Sequence, residues 1–275
     1  MNLLSIIWNV NPEIFSLGFI TVRWYGLIYA LGFLIGITIL DKMFKREGCP
    51  EGWTDKVFIY MVLAVIIGAR LGHVFFYGWD YYRNNLWEIP MIWKGGLASH
   101  GGAIAMIIAA LLFSKFVSKK SFFWLGDRLF VPSAMVAGFI RIGNLMNSEI
   151  YGCVTTLPWG FKFLREFPGL RVDLVPVCHP TQLYESLAYF VLFLFLMWLY
   201  WKKGAQKHEG LLTGIGFTFL FTARFFIEFI KNDQSDFEAG MILNMGQLLS
   251  IPFILVGIWL IIRALRRGKR NKSLS

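Results

Sequence analysis

Long apolar runs separated by short polar stretches recur seven times along the chain, at about residues 17–40, 57–77, 97–113, 122–143, 182–201, 211–231 and 241–262. A helix needs about 20 mostly apolar residues to cross the hydrocarbon core of a bilayer. The pattern therefore predicts an all-α integral membrane protein of seven transmembrane helices, a single membrane-embedded domain over residues 1–275. The longest stretch between spans, residues 144–181, carries Gly152, Pro158, Gly160, Pro168, Gly169 and Pro176 as turn signals and is expected to form a small external cap. Residues 78–96 are rich in Trp and Tyr, as an interfacial belt is. The residues before the first span lack a basic n-region, so we expect the N-terminus to be retained rather than cleaved as a signal peptide.

Composition agrees with this pattern. Of 275 residues 56% are hydrophobic and only 16% charged, against about 25% charged in soluble domains. So few charges cannot cover a water-facing surface, which excludes a disordered chain and an ordinary soluble enzyme. The net charge of +10 raises the question of nucleic acid, but Lys and Arg form no single patch. Sixteen of them fall in one alternating set of loops, which includes the tail after Ile262, and six in the other set. Because cytoplasmic loops collect basic residues, this predicts an N-terminus outside and a C-terminus inside. Nucleic acid is an unneeded partner, and contact of the tail with membrane lipids is expected instead. Cys49, Cys153 and Cys178 have no CxxC spacing, so neither a metal nor a redox cofactor is expected. Cys153 and Cys178 fall on the same expected outer side, and pairing between them stays open.

Five arginines remain within or at the ends of spans: Arg23, Arg70, Arg128, Arg141 and Arg224. An intramembrane charge costs at least ~2.5 kcal/mol at the bilayer centre, so each needs a protein interior or a wet cavity. On the expected topology most of the intramembrane polar groups lie near the outer ends of the helices. They include Tyr25, Arg70, His73, His100, Arg141, Asn144, His179, Gln182, Glu185, Arg224, Glu228, Asn244 and Gln247. Asp127 and Arg128 sit at the inner end, where we expect a capping or structural pair that needs only the sign of its charge. One polar level describes a pocket open toward the outer leaflet rather than a path through the membrane. No internal or inverted repeat is evident, which disfavours a transporter. Guanidinium stays protonated and grips phosphate bidentately, so a lipid phosphate suits such a layer. Arg224 and Glu228, at i and i+4, share a helix face and also read as an internal ion pair.

Residues 141–152, Arg-Ile-Gly-Asn-Leu-Met-Asn-Ser-Glu-Ile-Tyr-Gly, resemble the signature of the bacterial prolipoprotein diacylglyceryl transferase family. Further matches follow in the family's order: Arg23–Gly26, Ser99–Gly102, His179–Glu185, Arg224–Phe229 and Met245–Gln247 with Ser250–Pro252. The resemblance spans essentially the whole chain. Ile140 and Leu145 stand where the family usually has Gly and Phe, and Lys231 stands where it often has Arg. The resemblance implies transfer of a diacylglyceryl group from phosphatidylglycerol to the lipobox cysteine of a preprolipoprotein signal peptide. The products are a thioether and glycerol phosphate. This is the first step of lipoprotein maturation, and it implies the bacterial inner membrane, with the active site toward the outer leaflet.

That chemistry needs a thiolate, a clamp on the departing anion and space for two acyl chains. His100, flanked by Gly101 and Gly102 that allow close approach, is the candidate base, with a structural histidine as the alternative. Arg141 and Arg224 are the candidate phosphate clamps, with Glu228 holding Arg224. Tyr25, Asn144, Asn147, Glu149, Gly152, His179 and Gln182 are the candidate lipid-binding residues. Among them Gly152 is expected to permit a tight turn, Tyr25 also reads as an interfacial anchor, and His179 also reads as a helix-entry cap. The native cysteines need no chemical role. A transporter would move lipid without product, and a lipid-binding scaffold would bind it without turnover.

Overall fold

The computed structural model describes residues 5–18, 20–232 and 240–272. Its elements are β1 (Ile6–Trp8), β2 (Glu13–Leu17), β3 (Ile20–Arg23), α1 (Trp24–Arg46), α2 (Trp53–Phe76), α3 (Trp79–Tyr82), α4 (Ser99–Leu112), α5 (Phe122–Met146), β4 (Phe161–Phe163), α6 (Thr181–Lys202), α7 (Leu211–Ile227) and α8 (Met245–Lys272). Among the described residues, seven helical segments are long and apolar enough to cross a membrane, as the hydrophobic pattern predicts. The chain divides into two compact units, one of residues 1–36 with 129–275 and the other of residues 37–128.

Several boundaries differ from the pattern, and three of them have a clear local reason. The first span begins at Trp24 rather than residue 17, because residues 13–23 fold into the antiparallel hairpin β2–β3. Gly18 turns there in the left-handed region, and Thr21 and Val22 are β-branched, which suits a strand. The third span runs on from α4 to Ser118 through a π-helical turn, Phe113–Ser118, and stops where Lys119 adopts a positive φ. The last begins at Met245 because Asn244 and Gln247 cap it reciprocally. The Gln247 N–H donates to Asn244 Oδ1 at 2.9 Å, and the Asn244 N–H donates to Gln247 Oε1 at 3.0 Å.

In the larger unit the segment between α5 and α6 is tied to the N-terminal arm. β1 pairs in parallel with β4, and Trp8 Nε1 donates to the Leu145 carbonyl at 2.9 Å. Leu145, Phe161, Phe163 and Cys178 form a buried cluster against which Trp8, Tyr151 and Leu183 pack. α7 meets α8 through small residues, since a Cβ on Gly214 would lie 2.9 Å from the Gly257 carbonyl oxygen.

In the smaller unit α2 and α4 touch backbone to backbone. A Cβ on Gly101 would overlap the Gly68 carbonyl and lie 2.7 Å from Gly72 Cα. Gly101 thus serves helix packing. Arg70 is buried, and its guanidinium donates to the backbone carbonyls of Glu88 at 2.6 Å, Ile89 at 2.7 Å, Gly95 and Gly96. It lies 5.0 Å from the centroid of the Tyr82 ring. The Trp- and Tyr-rich segment is therefore fastened from within by one arginine.

At the other helix ends the expected Asp127–Arg128 pair is present at 4.0 Å, and Arg128 has a closer partner that the sequence did not suggest. That partner is Glu47, with Nε to Oε1 at 3.0 Å and Nη2 to both oxygens at 2.8 and 2.9 Å. Trp124 Nε1 donates to the same carboxylate at 2.8 Å, and the guanidinium lies 4.7 Å from the Trp124 ring centroid. This buried fork needs planar geometry as well as charge, so the expected tolerance of lysine loses its basis. Arg128→Lys should destabilise the protein by about 1.5–3 kcal/mol, the range for a hydrogen bond to a charged group. Thermal unfolding of the purified protein checks this, and an unchanged midpoint would refute it.

Candidate functional site

The larger unit holds five charges of alternating sign. Glu185, one turn into α6 and fully buried, pairs with Arg141 Nε at 2.6 Å and with Lys231 Nζ at 3.1 Å. Lys231 Nζ also lies 3.3 Å from Glu228, whose other oxygen is 3.5 Å from Arg224 Nη2. Helical spacing arranges the last three, since α7 puts Arg224 and Glu228 four residues apart and Lys231 follows at the end of its closing 3-10 turn. Isolated charges are too costly to bury, and alternation gives every member an opposite neighbour. The buried ring of Tyr189 lies within electrostatic reach of Glu185, Arg141 and Arg224.

Exposure separates the three cations. The Lys231 side chain is 1% exposed, Arg141 15% and Arg224 30%. Lys231 is sealed between two carboxylates as a point charge, which removes a ligand-gripping role for it. Arg224, and Arg141 to a lesser extent, retains exposed surface.

A second set joins the network through Arg141. Its Nη1 donates to Asn144 Oδ1 at 3.1 Å, and Asn144 Nδ2 donates to Glu149 Oε1 at 2.7 Å. Asn147 Nδ2 reaches the same oxygen at 3.2 Å. Because a carboxylate only accepts, Glu149 fixes the direction of both amides. Tyr25 packs at the start of α1 against Gly143, where a Cβ would lie 2.7 Å from its ring, and it lies within electrostatic reach of Glu149 and Arg141. Gln182 Nε2 donates to the Glu149 carbonyl at 2.6 Å. Its position supports the backbone of the site rather than opening onto it, because its side chain is fully buried.

Gly152 does not have a positive φ, so the expected tight turn is not its role. It is a point of contact. A Cβ there would strike the Ile230 carbonyl and come within 2.7 Å of Thr181 and 2.8 Å of His179. Gly152 bridges Lys231 as an isolated antiparallel pair, and its N–H donates to the His179 carbonyl at 2.8 Å. Gly246 acts similarly on α8, where a Cβ would overlap Glu228 Oε1.

His179 faces a different set of groups. Its Nδ1 lies 3.4 Å from the Tyr184 hydroxyl, which accepts a hydrogen bond from Trp159 Nε1 at 2.9 Å. Burial holds its pKa below the ordinary value, so it is neutral at pH 7. His100 belongs to the smaller unit, where its exposed ring lies 5.2 Å from Phe76 and 5.5 Å from Tyr77. Cys49, Cys153 and Cys178 are free thiols, and burial pushes Cys49 and Cys178 upward, opposite to an activated nucleophile.

Of the residues singled out from sequence, Tyr25, Arg141, Asn144, Asn147, Glu149, Arg224, Glu228 and the supporting Gly152 and Gln182 therefore gather in one unit. Lys231 and Tyr189 were not among the expected site residues, and Glu185 was expected only as a member of the polar layer. An acid in the middle of an apolar run demands a cation, and that signal pointed to Glu185; nothing in the sequence marked Tyr189.

The profile of the family described as prolipoprotein diacylglyceryl transferase matches residues 12–263. Three curated relatives carry the name phosphatidylglycerol–prolipoprotein diacylglyceryl transferase. The protein of Porphyromonas gingivalis is 49% identical, with 97% of each chain covered. That of Chloroherpeton thalassium is 45% identical over 98% of this chain and 97% of its own, and that of Tolumonas auensis 41% identical over 96% and 100%. The profile covers the hairpin, the network, six spans and most of the seventh, the relatives extend over nearly the whole chain, and the chain belongs to the prolipoprotein diacylglyceryl transferase family.

Proposed function

We propose that the chain is a phosphatidylglycerol–prolipoprotein diacylglyceryl transferase, the activity named in its relatives, acting in the bacterial inner membrane with its site toward the outer leaflet. The acceptor is the lipobox cysteine of a preprolipoprotein signal peptide. In the reaction the cysteine sulfur forms a bond to the glyceryl carbon that carries the phosphate. The C–O bond to the phosphate breaks, its electron pair leaves with glycerol phosphate, and the thiol proton goes to a base. The observation that carries this reading is the alternating network ending in a partly exposed arginine, Arg224, within a chain of this family.

Arg224 and Arg141 stabilise the charge that grows on the departing phosphate. Glu228 and Glu185 hold these guanidinium groups in place, and Lys231 locks the two carboxylates together. Asn144, Asn147 and Glu149 fix the other side of Arg141 and offer hydrogen bonds to the lipid glycerol, with Tyr25 beside them. His100 remains the candidate base, on its Ser99–Gly102 motif and its exposed ring. The topology follows from the sixteen-to-six distribution of basic residues between alternate loops, which puts the segment 144–181 outside as a cap.

Purified protein mixed with phosphatidylglycerol vesicles and a lipobox peptide should yield the diacylglyceryl adduct by mass spectrometry. Lipid movement or binding without adduct would overturn the assignment. In that assay Arg141→Lys and Arg224→Lys should each lose about 10²- to 10³-fold in turnover, the effect of removing one transition-state donor worth about 2.7–4 kcal/mol. Near-normal rates for both at matched folded levels would leave only diffuse electrostatics. For topology, a cysteine introduced near Arg165 should react with an impermeant thiol reagent in intact cells, and one near Lys119 should be protected. The reverse pattern would put the site on the inner face.

A further inference from the structure

Glu149 lies between two residues in the left-handed region, Ser148 at φ 61° and Ile150 at φ 60°. Serine visits this region at some cost. For isoleucine, whose branched Cβ crowds the backbone there, the conformation is an outlier that persists only where the surroundings impose it. The surroundings here are the first two residues of α6. Thr181 Oγ1 donates to the Ile150 carbonyl at 2.8 Å, and Gln182 Nε2 donates to the Glu149 carbonyl at 2.6 Å. Both side chains are fully buried. A threonine at a helix start ordinarily serves its own helix, yet no side chain caps α6 and the Thr181 hydroxyl reaches across to the elbow. On the other side of the elbow the Glu149 carboxylate takes the Asn144 and Asn147 amides, and Asn144 in turn accepts from Arg141.

We propose that Thr181 is a positioning residue for the transfer reaction. Its hydroxyl latches Ile150 in the strained conformation, which sets the direction of the Glu149 carboxylate and, through Asn144, that of the Arg141 guanidinium. The inference rests on the diacylglyceryl-transfer reading of this site. The strain makes the latch specific, because a relaxed backbone at 150 would hold the elbow without help. Glycine adopts a positive φ at no steric cost, so Ile150→Gly should make the hydroxyl dispensable.

The test uses the full-length protein with phosphatidylglycerol vesicles and a lipobox peptide, together with hydrogen–deuterium exchange over residues 148–152. Thr181→Val should lower kcat/KM roughly 10- to 100-fold, the scale of a misplaced catalytic group, and should speed exchange in that segment. Thr181→Ser, which keeps the hydroxyl, should stay within about threefold of wild type. The double variant Ile150→Gly/Thr181→Val should regain most of the rate lost by Thr181→Val. A merely structural loss of packing at Thr181 would not be repaired at residue 150. Wild-type turnover and exchange in Thr181→Val, or no recovery in the double variant, would overturn the proposal. If the wild-type protein made no adduct, the reaction assignment would fail, and exchange in Thr181→Val and the double variant would still decide whether the latch exists.

Discussion

A charge in an apolar slab has no water to turn to, and the arrangement of the larger unit follows from that constraint. Arg141, Glu185, Lys231, Glu228 and Arg224 succeed one another with alternating sign over contacts of 2.6–3.5 Å. Removing any interior member would leave two charges of like sign without their shared counter-charge, which is far costlier than losing a surface ion pair. The network therefore behaves as a unit. It draws on α5, on α6 and on the end of α7, so forming it also fixes how those elements meet. What it presents outward is its terminal arginine, the most exposed of its three cations.

The span arginines show that a guanidinium in a membrane segment is not by itself a ligand site. Arg70 spends its donors on backbone carbonyls and holds residues 88–96 in place. Arg128 is forked to Glu47 and stacked on Trp124. Arg23 sits on the exposed hairpin, 3.2 Å from Glu13. Only Arg141 and Arg224 share a network that also contains amides, a tyrosine and residual exposure. Depth alone could not separate these fates; the number of acceptors already committed to each guanidinium does.

Span number and most boundaries were legible because lipid leaves the backbone one economical solution, and hydrophobic length reports it directly. The hairpin at 13–23 was not, because Leu17–Val22 is as apolar as a helix start and only Gly18 marks the turn. Arg141, Asn144, Glu149 and Arg224 were legible through residue type and motif. The role of Gly152 was misread, since a glycine in sequence does not say whether it is needed for its φ or for its missing Cβ. Arg128 was read only in part, for a related reason. Its neighbour Asp127 is adjacent in sequence, while Glu47 is 81 residues away and reaches it only in the folded chain. Long-range pairing is the information that residue spacing lacks.

The same long-range pairing joins the segment between α5 and α6 to the site. Lys231 contributes its side chain to the network and its backbone to a bridge with Gly152, while the Cys153 N–H donates to the Ile230 carbonyl at 2.9 Å. Asn232 Nδ2 closes on the Gly152 carbonyl at 3.2 Å. No side chain fits at residue 152 without pushing this strand-like contact apart, and separating it would withdraw Lys231 from Glu185 and Glu228. Residues 144–181 are thus part of the network's framework. Their first turn supplies Asn144, Asn147 and Glu149, their middle grips the residue that bridges two buried carboxylates, and their end begins the helix that carries Glu185. Ordering this segment and assembling the charge network are thus coupled, and Gly152 sits at the site while touching it only through its backbone.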